Sequence, residues 1–161
     1  MTIKIRTALR SDVPAILAMM REFAEFEKLL DSFKVTEPLL ANAMFGPDRF
    51  VEGLIAENAD QSIGYMLFYP CFASFSGQTG LYLEDVYIKP THRGHGSGES
   101  MLRRLAQIAS ERGCERIDFQ VLDWNTPAIR FYEKLGAVRN DDERHFKFAG
   151  EAFEKLAGQE P

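Results

Sequence analysis

The residues of this chain best placed to do chemistry lie in four short stretches. The densest is Arg93-Gly94-His95-Gly96-Ser97-Gly98, three glycines at alternate positions directly ahead of a run with helical periodicity. Such a loop lets backbone N–H groups approach a ligand, and at a helix N-terminus those groups favour an anion, with phosphate oxygens the natural guest. Tight packing is the alternative use of the same glycines. The loop is not a P-loop, which needs GxxxxGK[ST], nor the dinucleotide pattern GxGxxG, because it runs GxGxG and follows a predicted meander. The second stretch is Glu84-Asp85, adjacent carboxylates able to attract a cation and accept a proton directly or through water. Strand alternation sends the pair to opposite faces, so they should not share one task; a solvated strand end is the plainer reading. Glu27 follows an amphipathic segment, where a polar residue at a helix end is the alternative to a binding role. The fourth is Phe131-Tyr132, which the residues alone describe as packed aromatics.

Cys71 and Cys114 sit in apolar surroundings without CxxC spacing or a neighbouring histidine, which reads as buried free thiols. His92, His95 and His145 have no ligand-like spacing, so no metal is expected.

These residues need elements to position them. Residues 3–7 alternate like a strand and lead into Ser11-Asp12, candidate helix caps with Pro14 in the first turn; Val13, Ile16, Leu17, Met20 and Phe23 then give one apolar face through about Phe26. Thr36-Glu37-Pro38 starts a second helix and Gly46-Pro47 stops it. Residues 50–57, 63–68 and 81–88 read as strands of an antiparallel meander. After the glycine-rich loop comes a helix with Met101, Leu102, Leu105, Ile108 and Ala109 on one face, ended by Gly113. Residues 116–122 read as a strand, 126–135 as a helix, and 145–148 as a last strand. The order predicts a single α/β domain over residues 1–161, a mixed, mostly antiparallel twisted sheet flanked by helices, with the glycine-rich loop where a ligand is expected.

With 45% hydrophobic residues in a chain of 161, one core can form without staples. A net charge of −5 argues against general affinity for nucleic acid or anionic membrane and suits a cationic partner. No stretch approaches the roughly 20 apolar residues of a membrane span, and residues 1–9 lack a signal-peptide core, so a cytoplasmic protein is expected.

The strand Val86-Tyr87-Ile88 followed by Lys89-Pro90-Thr91-His92-Arg93-Gly94-His95-Gly96-Ser97-Gly98 resembles the acetyl-CoA signature of the GNAT superfamily, R/Q-x-x-G-x-G/A, with Arg93, Gly96 and Gly98 in the defining positions. A second block, Asn125-Thr126-Pro127-Ala128-Ile129-Arg130-Phe131-Tyr132-Glu133-Lys134-Leu135-Gly136, is similar to the GNAT segment N-x-x-A-x-x-F-Y-x-x-x-G. Nearly the whole chain resembles the spermidine/spermine branch, which includes diamine and thialysine acetyltransferases, most tellingly at Leu81-Tyr82-Leu83-Glu84-Asp85-Val86-Tyr87.

The resemblance implies the GNAT fold, acetyl-CoA as co-substrate, a small amine acceptor and a homodimer, to which the 146–148 strand could contribute. It implies that the pyrophosphate meets the backbone of Arg93, Gly94, His95, Gly96, Ser97, Gly98 and Glu99, that Val86, Tyr87 and Ile88 bond the pantetheine, and that Asn125, Thr126, Pro127 and Ala128 lie against CoA. Tyr132 is implied as proton donor to the CoA sulfur. It further implies that Glu27 and Glu84 hold the acceptor amine and that the backbone of Asp118, Phe119 and Gln120 contributes to that site; Glu84 is also the candidate catalytic residue that takes the amine's proton. Phe75 stands where the branch has tryptophan, and Asp123 where a longer glutamate is common. A primary amine with a pKa of about 10.4 needs a proton route before it can attack a thioester. With neither cysteine in an activating motif, direct attack without an acyl-enzyme is expected.

Overall fold

The computed structural model describes residues 3–158. The chain forms two compact units, Met1–Gln120 and Val121–Pro161.

The first unit is built on a five-stranded sheet in the order β1 (Ile3–Thr7), β2 (Glu52–Asn58), β3 (Gln61–Ala73), β4 (Gln78–Ile88) and β5 (Arg116–Phe119). Neighbours are antiparallel except β4 and β5, which are parallel, so the sheet is mixed and mostly antiparallel as the sequence predicts. Among its described residues this unit has three α-helices: α1 (Val13–Phe26), α2 (Glu37–Phe45) and α3 (Ser97–Glu111). Alternation along the strands makes two cores. On one, Leu54, Met66, Phe68, Leu81 and Leu83 pack with Met101, Leu105 and Ile108 of α3; on the other, Ile55, Tyr65, Leu67 and Tyr87 pack with Val13, Ile16 and Met19 of α1 and with Leu40 and Met44 of α2.

Local chemistry sets the helix starts. The Thr36 hydroxyl accepts the Leu39 N–H, the cap predicted for α2. Asp12 precedes α1 as expected but does not cap it: its carboxylate accepts the Leu9 N–H at 2.6 Å and both Arg6 terminal nitrogens, at 2.6 and 2.8 Å. Arg6 also donates through Nε to Glu57 at 2.7 Å, so one guanidinium joins β1, the start of α1 and β2.

β3 runs past the predicted end at residue 68, through Pro70 to Ala73, because the long hairpin with β4 supplies partners on both sides of the proline. β5 stops at Phe119, shorter than predicted.

The second unit holds α4 (Thr126–Lys134), as predicted, and α5 (Glu151–Leu156), which the sequence did not signal. The predicted strand at 145–148 does not form. A strand needs a neighbour, none of the described strands pairs with these residues, and Phe146 and Phe148 are exposed at 86% and 69%. Both cysteines are free and half-buried, where full burial was expected. No helix among the described residues is long and apolar enough to cross a membrane.

Candidate functional site

The two carboxylates of β4 are arranged by an irregularity in its ladder with β3. Leu67 pairs with Asp85 and Phe68 with Leu83, which leaves Glu84 as an extra residue, a β-bulge. Strict alternation breaks there, correcting the expectation that Glu84 and Asp85 serve separate faces. Asp85 lies on the α1 side with its partner Leu67, and its carboxylate accepts the Tyr65 hydroxyl at 3.1 Å. Glu84 is exposed and accepts the Tyr69 hydroxyl at 3.0 Å; the Tyr69 ring stacks on Tyr82 with centroids 5.2 Å apart.

Burial pushes the Asp85 carboxyl from its ordinary 3.8 up to about 6, and the negative charges of Glu84 and Glu27 add to the shift against the Tyr65 hydrogen bond. Glu27, the C-cap of α1, is itself raised by burial. Lys28 after it adopts φ +60, turning the chain away and leaving Glu27 at the helix end. Burial, with the nearby Asp85 charge and hydrogen bond, also raises the Tyr65 phenol. Glu27, Glu84 and Asp85 therefore share one field of negative charge, suited to a cation.

This has a stability consequence. Because the folded pKa of Asp85 lies above the unfolded one, the folded chain holds that proton more tightly; the resulting stability is complete below about pH 4 and is lost as pH rises through 6. Asp85→Asn is expected to raise stability by about 1–2 kcal/mol at pH 7.5, discounted for partial exposure, with the gain vanishing near pH 4. Thermal melts of both proteins across that range check it.

The glycine-rich loop links β4 to α3 through a short turn at Pro90–His92. Gly94 and Gly96 adopt φ +80 and +79, where a side chain is strained, yet a Cβ at either would meet no protein atom within 4 Å. Backbone conformation, not packing, demands these glycines, and the space beside them is open. Gly96 is the N-cap of α3 and offers no side chain to its N–H groups. Ser97 is 2% exposed, and its Oγ lacks a hydrogen-bond partner. An orphaned hydroxyl and uncapped N–H groups beside open space fit a phosphate group. His95 is exposed, and the Glu99 carboxylate turns down the helix to Arg103 at 2.6 Å. Arg93 donates through Nε to the Ile88 carbonyl at 2.8 Å.

Val86 and Ile88 pack into the α3-side core and Tyr87 into the α1-side core, so only their backbone remains to meet a ligand. The parallel ladder with β5 ends at Leu83–Phe119, and no described strand pairs with that edge of β4 beyond it. Tyr87 also donates its hydroxyl to Glu22 at 2.9 Å, and burial with that bond pushes its pKa up to about 12.

On β5, the Asp118 carboxylate is gripped by Arg116 at 2.8 and 2.6 Å, so its charge is neutralised within the strand. Phe119 packs against the α3-side core, and Gln120 follows, exposed. In the second unit, the Asn125 side chain accepts the Ala128 N–H at 3.3 Å and so caps α4, with Thr126 and Pro127 in its first turn. Tyr132 is partly buried beside Phe131, ring centroids 5.2 Å apart. Among the described residues no cluster of His, Cys, Asp or Glu could hold a metal.

Sequence reasoning missed the partnership of Asp85 with Tyr65 and of Glu84 with Tyr69. Its only signal was a pair of tyrosines four positions apart on the preceding strand, legible once the register is known.

The acetyltransferase (GNAT) family profile matches residues 16–137, reaching from the first unit into the second. The chain is 37% identical to a thialysine N-epsilon-acetyltransferase of Sus scrofa, covering 98% of this chain and 99% of that relative. It is 28% identical to an L-ornithine N5-acetyltransferase of Arabidopsis thaliana, over 95% of this chain and 87% of the relative. Among solved structures, an integron cassette protein from the mobile metagenome of V. cholerae superposes with a TM-score of 0.82 at 23% identity, covering 98% of each chain. The loop at the head of α3, the mixed sheet and these matches agree: the chain belongs to the GNAT family of N-acetyltransferases, which use acetyl-CoA.

Proposed function

We propose that this acetyltransferase moves the acetyl group from acetyl-CoA to a primary amine of a small polycationic acceptor, a polyamine, a diamine or a thialysine-like amino acid, by direct attack within a ternary complex. The observation that carries the acceptor class is the trio Glu27, Glu84 and Asp85, brought together by the β4 bulge and the end of α1. The relatives named for thialysine and ornithine support it, since both compounds carry an amine on a flexible side chain.

Freeing an ammonium of its proton at pH 7 costs roughly 4–5 kcal/mol for a pKa of about 10.4. A proton released beside Glu84 and Asp85 is held by the pair more readily than by a lone aspartate, since burial and the neighbouring Glu84 charge raise Asp85 to about 6. Glu84, exposed at the bulge, is assigned to hold the incoming ammonium and receive its proton directly or through water, with Asp85 and Glu27 stabilising the cation behind it. Gly94, Gly96 and Ser97 are assigned to the pyrophosphate, the unpaired backbone edge of Val86, Tyr87 and Ile88 to the pantetheine, and Tyr132 to protonation of the departing thiolate. The family match spans both units, which supports one functional domain. A homodimer is part of the proposal; the exposed Phe146 and Phe148 are the surface assigned to it.

Single Glu27→Gln and Glu84→Gln variants are expected to raise the amine KM about five- to tenfold, the loss of one charge-assisted contact, while the acetyl-CoA KM stays within about twofold. Steady-state kinetics with each substrate varied in turn checks this. Equal effects on both substrates would return these residues to the solvated surface.

A further inference from the structure

The phosphate reading of the glycine-rich loop uses backbone N–H groups and gives the Arg93 side chain no task. That side chain is nevertheless closely held. Its Cζ lies over two rings, 5.3 Å from the centroid of Phe26 and 5.5 Å from that of Tyr87, while Nε donates to the Ile88 carbonyl. The rings belong to different elements. Phe26 ends α1, next to Glu27; Tyr87 lies on β4, two residues beyond Asp85. Tyr87 is tied to α1 a second time through its hydroxyl on Glu22 and its ring contact with Phe23, centroids 5.5 Å apart. A planar guanidinium is attracted to both π faces, and its Nε–H fixes the direction in which the chain leaves β4.

We propose that Arg93 is a positioning residue: clamped by Phe26 and Tyr87, it couples the end of α1 that carries Glu27 to the 94–97 loop, so that the acceptor side and the acetyl-CoA side order one another. The inference rests on the reading of that loop as the pyrophosphate site. It assigns to Phe26, on a helix outside the loop, an effect on CoA affinity that packing alone would not give it.

The test is calorimetric titration of CoA into wild type, Phe26→Leu, Arg93→Ala, Arg93→Lys and the Phe26→Leu/Arg93→Ala double variant. Phe26→Leu is expected to weaken CoA about three- to fivefold, the worth of one partly exposed cation–π contact, with a Tm within about 2 °C of wild type. Arg93→Ala should cost more, Arg93→Lys should restore only part of the loss because it lacks the Nε–H and the planar face, and the double variant should be no weaker than Arg93→Ala. Wild-type affinity in Phe26→Leu, strictly additive losses, or full recovery by Arg93→Lys would each overturn the clamp while leaving the loop assignment standing. Failure of the wild-type protein to bind CoA would overturn the loop assignment and the clamp with it.

Discussion

Replacing Tyr132 with phenylalanine is expected to lower kcat by about 10²- to 10³-fold at saturating acetyl-CoA and amine, the lower part of the range for general-acid assistance because a thiolate is already a fair leaving group. The substitution keeps the ring that packs on Phe131. It also keeps the backbone carbonyl that accepts the N–H groups of Leu135 and Ala137 at the end of α4. Stability should therefore move by no more than about 1 kcal/mol. The two KM values should change little, since a hydrogen bond made to a developing charge is absent from the ground state. Pre-steady-state measurement of acetyl transfer, in which chemistry is observed directly, decides the point; near-wild-type transfer would leave Tyr132 a packing residue.

Gly96→Val is expected to weaken CoA binding at least tenfold, about 1.4 kcal/mol. Two costs coincide. At φ +79 a β-branched residue is strained, and straightening it moves the N-cap of α3, whose N–H groups are to face the pyrophosphate. The side chain would also project into the open space beside the loop, where the ligand has to approach. Since no protein atom lies within 4 Å of the added Cβ, the chain should still fold. Calorimetry with CoA on a variant shown to be folded by its melting transition checks the loss. Unchanged affinity would remove the pyrophosphate from this loop.

The features legible in the sequence are those fixed by local chemistry. Glycine at 94 and 96 announces the left-handed turns ahead of α3, Thr36 announces the start of α2, and the apolar faces of α1 and α3 follow from their period. What depends on distant partners was not legible. Asp12 has the composition of a cap, but Arg6 on β1 claims its carboxylate together with Glu57 on β2. The bulge at Glu84 exists only in the register of β4 against β3, so two adjacent carboxylates assigned by alternation to different faces act in one field. The grip of Arg116 on the Asp118 carboxylate, two residues away on the same strand, was likewise not signalled by the sequence. The 145–148 run has the alternation of a strand and no described strand to pair with.

The central claim, an amine acetyltransferase selective for small polycations, is tested most directly by thiol release from acetyl-CoA across spermidine, spermine, putrescine, thialysine, ornithine and a panel of peptide N-termini, each at equal concentration. Release is expected with one or more of the small polyvalent amines at a kcat/KM at least about tenfold above every peptide, the discrimination that one well-placed carboxylate pair can supply. Release driven best by peptide termini, or none with any amine by a protein that binds CoA, would contradict it.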